Sequence, residues 1–152
     1  MGASSSIFMN IENTIYISYN TKDILQTDIC EKLSGCITSS SSYQVITSKN
    51  IEESKETDYA DFASQLGPII HGVHSIIICI SPNFFQSFHQ TKELNQILDR
   101  SANLLYIMME PSFTPTTNKE LKTFIKNNNW ITLQEINNNN IENCILSYLS
   151  LN

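Results

Sequence analysis

Hydrophobic and polar positions along the chain fall into two patterns. One is short, unbroken apolar runs; the other is longer stretches where apolar side chains recur every three to four residues. The sharpest run is Ser75–Ile80, SIIICI, five of whose six residues are apolar. It is too short for a buried helix and too rich in β-branched side chains to favour one, so it predicts a central strand covered on both faces. Ser81-Pro82-Asn83 then stops the strand and supplies side chains able to cap a helix. Beyond it, Phe84, Phe88, Leu94, Ile97 and Leu98 recur at helical spacing. A buried strand therefore runs into a helix through a polar turn.

The same reading extends along the rest of the chain. Thr14–Ser18, TIYIS, predicts the first strand and Tyr19-Asn20-Thr21 a turn. Asn20 is expected to cap a helix over 22–33, with Asp23 in its first turn and Leu25, Ile29 and Leu33 as its apolar side. The serines at 39–42 predict a loop and 43–46 a short strand. Residues 47–57 are polar without apolar periodicity and predict a long mobile loop. Tyr59, Phe62, Leu66, Ile69 and Val73 predict a helix, with a kink or restart at Gly67-Pro68. Strands follow at 104–109 and 130–133, helices at 118–126 and 141–151, and a turn at the asparagines 137–140. Strands alternating with helices predict a doubly wound α/β domain over 13–152, behind a flexible tail at 1–12. The expected form is a flavodoxin-like three-layer sandwich, a five-stranded parallel sheet with helices on both faces.

Composition narrows the partners. A chain of 152 residues, 41% hydrophobic, is long enough for one domain with a substantial core. Its formal charge is −6 and its 9 basic residues are scattered, so no basic patch exists to bind nucleic acid or anionic lipid. No apolar run approaches the ~20 residues of a membrane span, and no signal-peptide pattern opens the chain; the expected location is the cytoplasm. Gly2 and Ser6 fit the N-myristoylation pattern, and a serine-rich flexible tail accounts for the same residues. A single acyl chain gives only weak contact, so stable anchoring is not expected. Cys30, Cys36, Cys79 and Cys144 form no CxxC pair, which argues against a disulfide framework, and Cys79 reads as buried filler. His71, His74 and Cys79 lack structural-metal spacing and read as a polar helix end, so no metal is expected.

In open parallel α/β sheets, ligands bind outside the carboxyl ends of the strands where the strand order reverses. Flavodoxin-like order puts that point between strands one and three. The turns 18–21 and 81–83 would flank a crevice there, with 47–57 as a lid. His89, Glu93 and Ile97, four residues apart, share one helix face, which makes the Glu93 carboxylate the first candidate for chemistry. No G-x-G-x-x-G is present to cradle a pyrophosphate.

Several of these stretches resemble Toll/interleukin-1 receptor (TIR) domains. Ile15-Tyr16-Ile17-Ser18-Tyr19 followed by Asp23 resembles the family's first strand and turn, and Ser75–Pro82 its central strand ending in Ser-Pro. Ser87, Glu93 and Leu94 match the family's S-x-W-C-x-x-E-L helix, with His89 and Gln90 in place of Trp and Cys. Residues 104–109 and Trp130 fall where the family has its fourth strand and late tryptophan, so the resemblance spans nearly the whole chain. Some TIR domains cleave NAD+ at the nicotinamide–ribose bond, giving nicotinamide and ADP-ribose or a cyclic form, and their essential glutamate carries over onto Glu93. Nicotinamide leaves as a neutral ring, so no strong general acid is needed. A fixed anion in a dry cleft stabilises the oxocarbenium-like ribosyl centre. The resemblance implies NAD+ as substrate and no separate cofactor, with Ser18, Tyr19, Asn20, Ser81, Asn83 and His89 lining the site and TIR–TIR self-association completing it. Active relatives often carry arginine where this chain has Asn20 and an aromatic residue where it has His89, and the Pro-Gly tip of receptor-type loops is missing. The alternative is a non-catalytic TIR interaction module, an adaptor, scaffold or decoy for other TIR domains.

Overall fold

A computed structural model of the chain describes residues 11–54, 67–81, 103–110, 114, 119, 122 and 130–138. Five strands, β1 (Thr14–Ser18), β2 (Gln44–Thr47), β3 (Ser75–Ile80), β4 (Leu104–Met108) and β5 (Trp130–Thr132), form one sheet in the order β2-β1-β3-β4-β5. Every neighbouring pair is parallel. This is the expected flavodoxin-like sheet. The described helices are α1 (Ile24–Ser40), α2 (Ser48–Ser54), α3 (residues 67–72) and α4 (Leu133–Asn138). None among the described residues is long and apolar enough to cross a membrane.

β1 and β3 lie at the centre and are buried along their whole lengths, which is why their sequences run almost continuously apolar. Alternation along the strands divides the core. Tyr16, Ile46, Ile76, Ile78, Ile80, Tyr106 and Met108 pack with Ile51 of α2 and Ile69 and Ile70 of α3 on one face. Ile15, Ile17, Ile77, Cys79, Leu105 and Ile107 pack with Ile29, Leu33 and Ile37 of α1 and Ile136 of α4 on the other. Helices thus cover both faces. Full burial of each isoleucine contributes roughly 1.5–3 kcal/mol relative to exposure.

The amino edge of the sheet is tied by backbone and side-chain hydrogen bonds. The His74 N–H donates to the Thr14 carbonyl at 2.9 Å, and the Ile76 N–H to the Asn103 carbonyl at 3.0 Å. Asn103 adopts φ 53°, a left-handed conformation that asparagine tolerates better than most residues, and its amide donates to the His74 carbonyl at 3.1 Å. His74 also meets Ser75 Oγ at 2.6 Å and the Tyr43 hydroxyl at 3.2 Å. Before β1, Ile11–Asn13 forms a 3-10 turn, and Ile11 lies over Gly72 so closely that a Cβ there would stand 2.9 Å from Ile11 Cδ1.

Several boundaries differ from the sequence expectation, each for a local reason. The cap of α1 is Asp23, whose carboxylate accepts the Gln26 N–H at 3.1 Å; Asn20 instead closes the preceding turn. That start sets the helix phase, so Gln26, Ile29, Cys30, Leu33 and Ile37 face inward and Leu25 is 47% exposed. The helix continues through the expected serine loop to Ser40. Residues 47–54 do not form a loop. Thr47 ends β2 and caps α2 at once: its N–H and hydroxyl donate to Asn50 Oδ1 at 2.9 and 3.0 Å, while the Asn50 N–H donates back to Thr47 Oγ1 at 3.3 Å. Thr132 and Glu135 repeat the device at 3.1 Å each way, so β5 ends at Thr132 and Leu133 opens α4. Within the turn expected at 137–140, residues 137 and 138 are instead helical. The predicted helices after β3 and at 118–126 and 141–151 lie largely or wholly outside the described residues, as does 59–66.

Core position should dominate the response to mutation. Ile78→Ala is expected to lower stability by about 2–5 kcal/mol and Ile78→Val by about 0.5–1.5 kcal/mol in urea unfolding. Ile24, 87% exposed, should tolerate Ile24→Ser within about 0.5 kcal/mol. A loss at position 24 as large as that at 78 would contradict this arrangement.

Candidate functional site

At the carboxyl edge, β1 leaves the sheet before β3 does. Its last pairing with β3 is Ser18 opposite Ile78, whereas β3 continues beside β4 through Ile80, whose carbonyl accepts the Met109 N–H at 2.9 Å. The next backbone donor of β1, the Tyr19 N–H, turns instead to the Ser48 hydroxyl at 3.0 Å, on the first residue of α2. The Tyr16 hydroxyl lies 3.4 Å from the same oxygen. One serine side chain thus draws the end of β1 away from β3 at the point where the strand order reverses, where α/β sheets take ligands.

The β1–α1 turn is built on Asn20. Its side-chain oxygen accepts the Lys22 N–H at 3.0 Å and its carbonyl the Asp23 N–H at 3.0 Å. Its own N–H donates to Gln26 Oε1 at 2.8 Å, so a buried glutamine side chain holds the turn from beneath. Because that partner is a donor, the Gln26 oxygen must face it and the amide nitrogen must point elsewhere. Among the described residues, the buried side-chain polar atoms without a hydrogen-bond partner are Gln26 Nε2 and Ser18 Oγ, which bracket this turn. Leaving a buried polar group unpaired costs about 1–3 kcal/mol.

The expected site residues take different places. Ser18 is buried at the carboxyl end of β1, and Ser81 is buried directly after the neighbouring strand β3. Tyr19 turns into the core, where its side chain hydrogen-bonds the Cys30 thiol. Asn20 is half-buried in the turn. Asn83, His89 and Glu93 lie outside the described residues. Ser48 and Gln26 did not emerge from the sequence as site residues. Ser48 had a signal, the T-S-K-N capping pattern. Gln26 had none beyond being a polar residue on the buried side of a helix.

The thiols behind the site are chemically quiet. Burial, with a smaller contribution from the Glu31 carboxylate, pushes Cys30 up from 9.0 to about 12 against the opposing Tyr19 hydrogen bond. Burial chiefly, then Cys30 and Asp23, push Cys79 further up, and burial raises Tyr106 from 10.0 to about 12. Among the described residues no group of three His, Cys, Asp or Glu side chains could hold a metal ion.

No family model matches the sequence, and no curated protein matches it. Among solved structures, the chain is similar to the TIR domains in the activated Roq1 resistosome, which directly recognises the pathogen effector XopQ. The two share 14% identity with a TM-score of 0.50, covering 90% of this chain and 79% of that one. This likeness establishes the fold, an α/β parallel sheet of the TIR and flavodoxin-like kind.

Ser48→Ala removes the acceptor of a buried N–H and should cost about 1–3 kcal/mol in urea unfolding; Asp23→Ala, which uncaps α1, should cost about 1 kcal/mol. Cys30, Cys79 and Tyr106 hold their protons more tightly folded than unfolded. The stability this brings is complete below pH 9 and is lost as pH rises from 9 toward 12. The melting temperature should therefore fall across that window. At pH 8, iodoacetamide should modify half-buried Cys36 and spare Cys30 and Cys79 until urea is added.

Proposed function

We propose that the protein is a TIR-type NAD+ hydrolase that cleaves the nicotinamide–ribose bond, giving nicotinamide and ADP-ribose or a cyclic form. The observation that carries this reading is the parting of β1 from β3 at Ser18 in a sheet of TIR-like fold. Such a parting would leave room at the edge where the sequence register would bring the Glu93 helix. In this reading Glu93 is the catalytic carboxylate: it stabilises positive charge on the ribosyl carbon as the neutral nicotinamide departs, and water or a ribose hydroxyl completes the displacement. Ser18, Asn20, Ser81, Asn83 and His89 contact substrate, and Tyr19 supports the turn from the core. NAD+ is consumed as substrate with no further cofactor.

The neighbouring fold comes from an assembled resistosome, and copies of this chain would likewise associate through TIR–TIR contacts to complete the site, in the cytoplasm and in immune or cell-death-type signalling. A second reading is favoured by Asn20, which stands where active relatives often have arginine: a non-catalytic module that binds other TIR domains. Any myristoyl group on Gly2 would add weak membrane contact in either case.

The deciding assay is nicotinamide release from NAD+ by concentrated protein, with and without a crowding agent. The wild type is expected to release nicotinamide, and Glu93→Ala to lower the rate roughly 100-fold or more. No release from folded, concentrated wild type would leave the interaction module as the function.

A further inference from the structure

We infer that Gln26 Nε2 and Ser18 Oγ are ligand-binding atoms of the β1–β3 crevice, and that they read the hydroxyls of a ribose. The inference rests on the NAD+ reading above, which it deepens by assigning residues to one part of the substrate.

Both side chains are 1% exposed, yet each leaves a polar atom without a partner. Ser18 is the last residue of β1, where the strand parts from β3. Gln26 lies one turn inside α1, with its oxygen committed to the Asn20 N–H. Its spare group is a neutral donor, and Ser18 adds a hydroxyl that can donate or accept. A polyol suits that pair. A phosphate does not, because the Asp23 carboxylate accepts the Gln26 backbone N–H beside it, occupying the helix N-terminus an anion would need.

Both side chains are closed to solvent, and in this assignment ribose reaches them when the turn at 20–22 shifts. Asn20 and Thr21 are half-buried, Lys22 is exposed, and three hydrogen bonds from or to Asn20 secure it. Its outer side is already hollow: Thr21, Lys22, Ile24, Thr27, Asp28 and Glu31 line a groove of 390 Å3. Movement of the turn releases the Asn20 N–H from Gln26, and the incoming hydroxyls replace the lost contact while satisfying both unpaired atoms.

The test is an NMR titration of the intact protein with NAD+, following the Gln26 side-chain amide pair and the Ser18 backbone amide, beside Gln26→Glu. That variant keeps an acceptor for the Asn20 N–H and deletes the donor. The expected result is movement of the Gln26 pair in wild type and binding weakened roughly tenfold in a folded Gln26→Glu protein. If NAD+ shifts other resonances at the carboxyl edge while the Gln26 pair stays still and Gln26→Glu binds like wild type, the assignment fails and the NAD+ reading survives. If millimolar NAD+ shifts nothing, both fail together. Movement of the pair by inorganic pyrophosphate to the extent seen with NAD+ would overturn the ribose assignment. So would crystals in which one ordered water bridges both atoms with and without NAD+.

Discussion

A strand buried on both faces cannot take its register from polarity, and the sheet depends on how that problem is solved. In β3, Ile76, Ile78 and Ile80 face one layer while Ile77 and Cys79 face the other. A slip of one residue would exchange isoleucine largely for isoleucine, removing the usual penalty that fixes pairing. Register is held instead by polar groups at the two ends. At the amino edge the Thr14 carbonyl takes the His74 N–H, and Asn103 accepts from Ile76 and donates to His74. At the carboxyl edge the Ser48 hydroxyl takes the Tyr19 N–H. The apolar centre supplies most of the stability, and these few groups supply its alignment.

The same division explains the position of the candidate site. The hydrogen bond that takes the Tyr19 N–H to Ser48 lies where the pairing of β1 with β3 ends, so the parting of the two strands follows from strand termination and needs no separate element. Beside it, the thiols of Cys30 and Cys79 are held protonated by burial. Buried and protonated, those thiols are poor nucleophiles.

The sheet was readable in the sequence because parallel strands covered on both sides are almost uninterrupted apolar runs: TIYIS and SIIICI stand out without any knowledge of neighbours. Strand order followed from a fold-level resemblance, and the geometry agrees with it. Helices were harder where capping outweighs periodicity. Residues 47–54 carry few apolar side chains, so a search for amphipathic spacing passes over them, although Thr47 and Asn50 form a reciprocal cap. Asn20 was a plausible cap by residue type; Asp23 prevails because Asn20 is consumed in closing the turn. Gln26 could not be assigned from sequence, since its importance lies in a hydrogen bond to a backbone whose course the sequence does not spell out.

Thr47 and Thr132 each end a strand and begin a helix within a single residue. Such joints have no slack. One residue inserted at either would rotate the following helix by about 100°, and at the first it would carry the Ser48 hydroxyl away from Tyr19. The β1–α1 connection, with five residues between Ser18 and Ile24, can absorb a change in length. Variation in chain length is therefore easier to accommodate at the β1–α1 connection than at the β2–α2 joint, where the helix stays rigidly coupled to the sheet.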